Sequence, residues 1–285
     1  MAVYEQTYRR YTGEITPQRT RFLILLRYAF QEVLASRLVL VLLIVGGLGV
    51  LTTAVLIYLH HNFTALTAID LPIDRLVPID NVFFEFFLRV ESSLCFFLAL
   101  VIGPGLIAPD VRNNALPLYF SRPFSRTEYV LGKIGVLLSL LSALTWVPGL
   151  LLFLLQAGLE PAWLGPHLGL AWALFAASVE WIVVLSLLTL AISAWVKWKP
   201  VARIVLLAVF FVMAGWGLAI NAALDTRWGG LVSLGKLNDT VRASLFNRAQ
   251  PNDLPAWAAW IALAAACLLF LSMLRRKLRA YEVVR

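Results

Sequence analysis

The chain has 285 residues, 61% of them hydrophobic and 14% charged, with a formal net charge of +8. Soluble domains carry about 45–50% apolar and about 25% charged residues, and a soluble fold of this size could not cover so much apolar side chain. The composition excludes a soluble enzyme, a disordered chain and a disulfide-rich secreted domain, and it points to an integral membrane protein; the apolar runs below make the expected fold an all-α integral membrane protein.

Residues 1–19 are polar and aromatic, with Tyr4, Tyr8, Arg9, Arg10 and Tyr11 ahead of Pro17. They are too short for a domain, and read either as a docking segment for a cytoplasmic partner or as a loose tail. Residues 20–36 are apolar but interrupted by Arg27, Gln31 and Glu32. This pattern predicts an N-terminal interfacial amphipathic helix with Phe22, Leu26, Phe30 and Val33 toward lipid. The alternative, that it lengthens the first span, would put Arg27, Glu32 and Arg37 in the hydrocarbon.

A spanning helix needs about 20 apolar residues. Six stretches qualify within a transmembrane domain over 37–274: about 38–59, 86–108, 132–157, 168–196, 204–224 and 254–274. Glu85 and Arg89 are spaced to pair on a helix, and with Glu91 they predict that the second span starts at the outer interface. Residues 60–81, with Pro72 and Pro78, and 222–256, with Trp228, Pro251 and Pro255, predict short interfacial helices at the outer mouth. Residues 275–285 are a basic tail.

The charge follows the same layout. With both termini cytoplasmic, 18 of the 24 Lys/Arg fall on the inner side; the net charge is +12 inside, −3 outside and −1 within the membrane at Glu180. That is the positive-inside distribution, so the basic character is topological and predicts no nucleic-acid partner. No apolar core followed by a small-residue cleavage site occurs in the first 37 residues, so a cleavable signal is not expected. Cys95 and Cys267 both fall in spans, which suggests no disulfide framework.

The most informative stretch joins spans two and three. Pro109 ends one helix, and the apolar run 115–120 can bury against something. Pro123 breaks that run, and Ser125 with Glu128 matches a capping box for the next helix. The run Asp110…Leu116-Pro-Leu-Tyr-Phe-Ser121-Arg122-Pro123-Phe-Ser125-Arg126…Gly132-Lys133 resembles the segment between the second and third spans of ABC-2-type transporter permeases. The six-span layout, the interfacial helix and the cytoplasmic ends are similar to that family too. One departure is Asn113-Asn114-Ala115, where many members have a Gly in the turn.

The resemblance implies a permease subunit of an ATP-driven transporter, an exporter rather than an importer, multi-pass in a bacterial cytoplasmic (inner) membrane. It implies a second permease chain, alike or different, and two copies of a cytoplasmic ABC ATPase that carry the ATP and Mg; the chain itself would bind no cofactor. Asp110, Arg112, Leu116, Arg122, Arg126 and Glu128 would form the ATPase-coupling loop. Pro123 and Gly132 would shape the turn, and Lys133 would anchor the third span at the headgroups. The alternative is a membrane subunit whose ATPase does mechanical or assembly work.

Other motifs are weak. Gly230-Leu-Val-Ser-Leu-Gly235-Lys236-Leu237 lacks the Ser/Thr that follows the Lys in a phosphate loop and lies on the outer side, so no ATPase activity is expected of this chain. Glu180, with Ser178 and Gln156, is either a pathway or gating group or a packing residue between helices. An intramembrane enzyme would need further polar groups in the spans. His60, His61 and His167 lack carboxylates at metal spacing, so no metal site is expected. Gly46, Gly47 and Gly49 allow close helix packing, within the chain or between two chains.

Overall fold

A computed structural model describes residues 21–62, 78–121, 125–250 and 253–279. Residues 1–20, 63–77, 122–124, 251–252 and 280–285 lie outside the described set, and with them the N-terminal segment and most of the 60–81 loop. The described residues contain no strand. In chain order they form α1 (Arg21–Leu34), α2 (Arg37–His61), α3 (Asn81–Leu106), α4 (Ala108–Arg112), α5 (Leu116–Phe120), α6 (Arg126–Leu144), α7 (Trp146–Leu159), α8 (Pro161–Trp195), α9 (Lys199–Leu224), a 3₁₀ turn (Trp228–Val232), α10 (Leu234–Leu245) and α11 (Ala256–Arg279).

Among the described residues, six helical stretches are long and apolar enough to cross a membrane. They are α2, α3 with α4, α6 with α7, α8, α9 and α11. The fourth starts earlier than the hydropathy suggests, at Pro161, because Pro suits the first turn of a helix. Pro166 then removes a single ladder bond from the next turn. The third is two helices meeting at Thr145 (φ −110°, ψ −94°). Pro148 has no N–H for the Leu144 carbonyl, and the Thr145 hydroxyl donates to Leu141 O at 2.8 Å.

The core is built around α8, which packs against α3, α6, α7, α9, α10 and α11. Its crossing with α3 is close because Gly103 has no side chain: a Cβ there would lie 2.6 Å from Thr189 Cβ. Just beyond, Pro104 and Pro109 end the α3 ladder and the chain kinks at Ile107. The freed N–H groups of Ile107 and Ala108 donate to Ser193 Oγ on α8 at 3.1 and 2.9 Å. Ser193 thereby fixes where α4 leaves the bundle.

The outer helices bury little. Only 11% of the most apolar window of α2, and 11% of that of α9, is buried, and Leu48, Phe211 and Trp216 stand exposed. Such surfaces need lipid or another chain to cover them.

Helix α1 lies along α6. Leu25 and Leu26 seat on Gly132 and Gly135, where an added Cβ would come within 2.9 Å of each leucine. Leu26, Phe30 and Val33 therefore pack on the protein, and the face left exposed carries Leu23, Ile24 and Tyr28. This reverses the expected face: the glycines of α6 offer a groove that the isolated α1 sequence does not reveal. Phe22 lies outside the described side chains.

At the opposite end the 3₁₀ turn folds back on α9. Gly217 and Gly229 meet so closely that a Cβ on either would lie about 2.5 Å or less from the other's carbonyl, and Gly229 N–H donates to Asn221 Oδ1 at 2.7 Å. Ser233 then caps α10, accepting from Lys236 N–H. The segment holding Gly230 and Lys236 is thus a 3₁₀ turn running into a capped helix, not a strand-to-helix phosphate loop.

Candidate functional site

Two short helices, α4 and α5, project between the second and third spans. Asp110 on α4 binds them to the bundle: its Oδ2 accepts from Tyr129 Oη at 2.7 Å and from Lys133 Nζ at 3.0 Å. Tyr129 and Lys133 are four residues apart on α6, so both reach the same point. The ammonium also lies 5.7 Å from the Tyr129 ring centroid. Leu116 is fully buried, and the rings of Tyr119 and Phe120 pack on Tyr129 with centroids 5.6 and 6.0 Å away. Burial, then the negative charges of Asp110 and Glu32, push the Tyr119 phenol above its ordinary pKa, so it stays neutral at physiological pH.

The turn between α4 and α5 needs a left-handed residue, and Asn114 supplies it with φ 51°. Asn tolerates this conformation far better than most non-glycine residues. The turn thus takes a left-handed conformation that glycine would also adopt. Ala115 N–H closes the turn on Asp110 O at 2.9 Å. Beyond it Leu118 is 70% exposed at the tip. The result is a braced knob with an apolar point.

The residues expected to couple to a partner divide into two kinds. Asp110, Leu116 and Lys133 face inward and hold the knob. Lys133 is only 8% exposed, so it is a buried brace rather than a headgroup anchor. Glu128 closes the capping box with Ser125: its carboxylate accepts from Ser125 N–H at 2.6 Å, and its own N–H donates to Ser125 Oγ at 3.2 Å. Gly132 lies inside α6 and receives α1 rather than shaping the turn.

Arg112 is exposed, its guanidinium 4.8 Å from the Trp198 ring centroid. Arg126 opens α6 beside α11, in a hollow of about 330 Å³ with Leu274, Arg275 and Leu278. Arg122 and Pro123 lie outside the described residues. Tyr129 and Leu118 are site residues that the sequence reading does not single out. The four-residue spacing of Tyr129 to Lys133 is a signal for the former. Nothing in the apolar run 115–120 distinguishes Leu118 from its neighbours.

The three pathway candidates do not converge. Gln156 is buried, with its Oε1 3.0 Å from His61 Nε2 and its Nε2 3.4 Å from Glu160 Oε2. The Ser178 hydroxyl donates to Leu174 O on its own helix at 2.7 Å. Two residues on, Glu180 points about 200° away around the helix. Both of its oxygens are buried without a hydrogen-bond partner.

Glu180 is not the lone buried acid. Glu91 is 0% exposed with both oxygens unpartnered. It lies over α2, where a Cβ on Gly46 or Gly49 would approach its carboxylate to 3.2 or 2.9 Å. Charge spacing along α3 misses this because the glycine seat belongs to another helix. Glu85 does pair with Arg89, at 2.9 Å, and lies 3.6 Å from both Arg242 and Arg248. Arg242 is buried and also bonds Asp239. That cluster ties α10 to α3. Among the described residues no group of three His, Cys, Asp or Glu could hold a metal, and both cysteines are free.

No family model matches the sequence, and no curated protein matches it.

Proposed function

We propose that the chain is the membrane subunit of an ATP-driven exporter of the ABC-2 permease type, working beside a second permease chain in a bacterial inner membrane. Its cytoplasmic face is the basic end, where Arg112, Lys197, Lys199 and Arg203 line one hollow. Two copies of a separate ATPase grip the α4–α5 knob and bring the ATP and Mg. The observation that supports this most is the knob itself: a rigid, inwardly braced projection whose tip, Leu118, stands exposed among the described residues. Rigidity suits a part that must transmit a push, and an exposed apolar tip suits a partner's groove.

In this reading Arg112, Leu118, Arg122 and Arg126 meet the ATPase. Asp110, Tyr129, Lys133 and the Ser125–Glu128 box hold the knob in position. Glu180 is the buried group that a translocation path would use. The test is affinity purification of tagged chain from its native membranes, followed by ATPase assay. The wild type should bring an ABC ATPase with it. Charge reversal of Arg122 with Arg126 should leave insertion intact and lose coupling. A wild-type chain that purifies from mild detergent without any ATPase subunit overturns the proposal.

A further inference from the structure

Between α1 and the bundle, at the basic end, lies a cleft of about 140 Å³. Lys199 and Arg203, one turn apart on α9, stand in its wall. They also line the neighbouring hollow of about 490 Å³ beside α4. That hollow adds Arg112 and Lys197 and, among the described residues, has no acid in its lining. In the first cleft Glu32 is the one lining acid among the described residues, and Val33, Val39 and Val101 add apolar lining.

The two shared cations have bonding capacity to spare. Lys133, which also lines the cleft, is committed to Asp110. Lys199 Nζ is 3.9 Å from Glu32 Oε1, with both side chains largely exposed; that is too long for a hydrogen bond. Arg203 reaches the Val101 carbonyl through Nη2 at 3.4 Å, while its Nε is buried without a partner. Helix α9 has no side-chain cap, so its first-turn N–H groups add their partial positive charge to the same place.

We propose that Lys199 and Arg203 hold the phosphodiester headgroup of an anionic phospholipid, with its apolar part against the Val33, Val39 and Val101 wall. A guanidinium fork and an ammonium one turn apart suit phosphate oxygens. Basic pockets between spans on the cytoplasmic side take such headgroups. The apolar wall favours a lipid over a free phosphate, which shares the chemistry but would leave that wall uncovered.

The test uses purified full-length protein and native mass spectrometry in micelles titrated with dioleoylphosphatidylglycerol, dioleoylphosphatidylcholine or inorganic phosphate. The wild type should retain phosphatidylglycerol selectively. Lys199→Gln with Arg203→Gln should weaken retention by about 5-fold per cation removed, about 25-fold together, from ~1 kcal/mol per basic residue near a membrane surface. Arg275→Gln with Arg276→Gln, elsewhere on the basic end, should change little. Glu32→Gln removes the lining acid and should strengthen retention; it keeps the proposal testable if the double variant fails to fold. Equal retention of both lipids overturns the proposal, as does an equal loss in the Arg275 and Arg276 control. Protection by inorganic phosphate alone overturns the assignment to lipid.

Discussion

Asp110→Asn isolates the brace of the knob. Asparagine keeps the shape and an oxygen for Tyr129 Oη, so the change falls on Lys133. Its ammonium lies 3.0 Å from Asp110 Oδ2, with side chains only 10% and 17% exposed. Removing one partner of a buried pair costs roughly 3–5 kcal/mol. Because some water reaches Asp110, the cost drops to about 2–3 kcal/mol, just under that range. For a chain of this size that corresponds to a melting point about 4–12 °C lower. Adding Lys133→Met should return the Asp110→Asn protein close to wild-type stability, because the orphaned charge goes with it. Thermal unfolding of wild type, both single variants and the double in one detergent, followed by tryptophan fluorescence, closes the cycle. A single Asp110→Asn variant as stable as wild type, or a double variant no better than that single, would refute the brace.

Ser193→Ala should cost about 1–3 kcal/mol, because the N–H groups of Ile107 and Ala108 lose their shared acceptor; an unchanged melting point would show that another acceptor serves them. Gly103→Ala drives a methyl to 2.6 Å from Thr189 Cβ and should cost about 1–3 kcal/mol as overpacking. In a Thr189→Gly background, which removes that Cβ, the same change should cost less, and an equal cost there would place the clash elsewhere. Glu180→Gln should assemble normally and melt within about 1 kcal/mol of wild type, since both oxygens lack partners already, while transport-linked ATP hydrolysis falls. Unchanged coupling with normal assembly would remove Glu180 from any pathway.

The spans are legible in the sequence because hydropathy is additive along a helix. Long runs such as those of α2 and α9 announce themselves whatever packs on them. Placement depends on what crosses them. Glu91 reads as one of a charge cluster with Glu85 and Arg89, and its burial in the glycine notch at Gly46 and Gly49 depends on a second helix. The exposed face of α1 escapes the sequence for the same reason: its groove is made by Gly132 and Gly135, far along the chain, and nothing in α1 hints at them. The capping box of α6 is legible because Ser125 and Glu128 are three residues apart and need no distant partner. The brace is half legible: the spacing of Tyr129 and Lys133 is local, but Asp110 joins them only through the kink that Ser193 secures.

The most direct measurement is cross-linking from the tip of the knob. A photoreactive residue at Leu118, 70% exposed, is compared with one at Phe211, exposed on α9, in native membranes. The account predicts an adduct with an ABC ATPase subunit from position 118 and none from position 211. No ATPase adduct at 118, or an equal one at both positions, would contradict it.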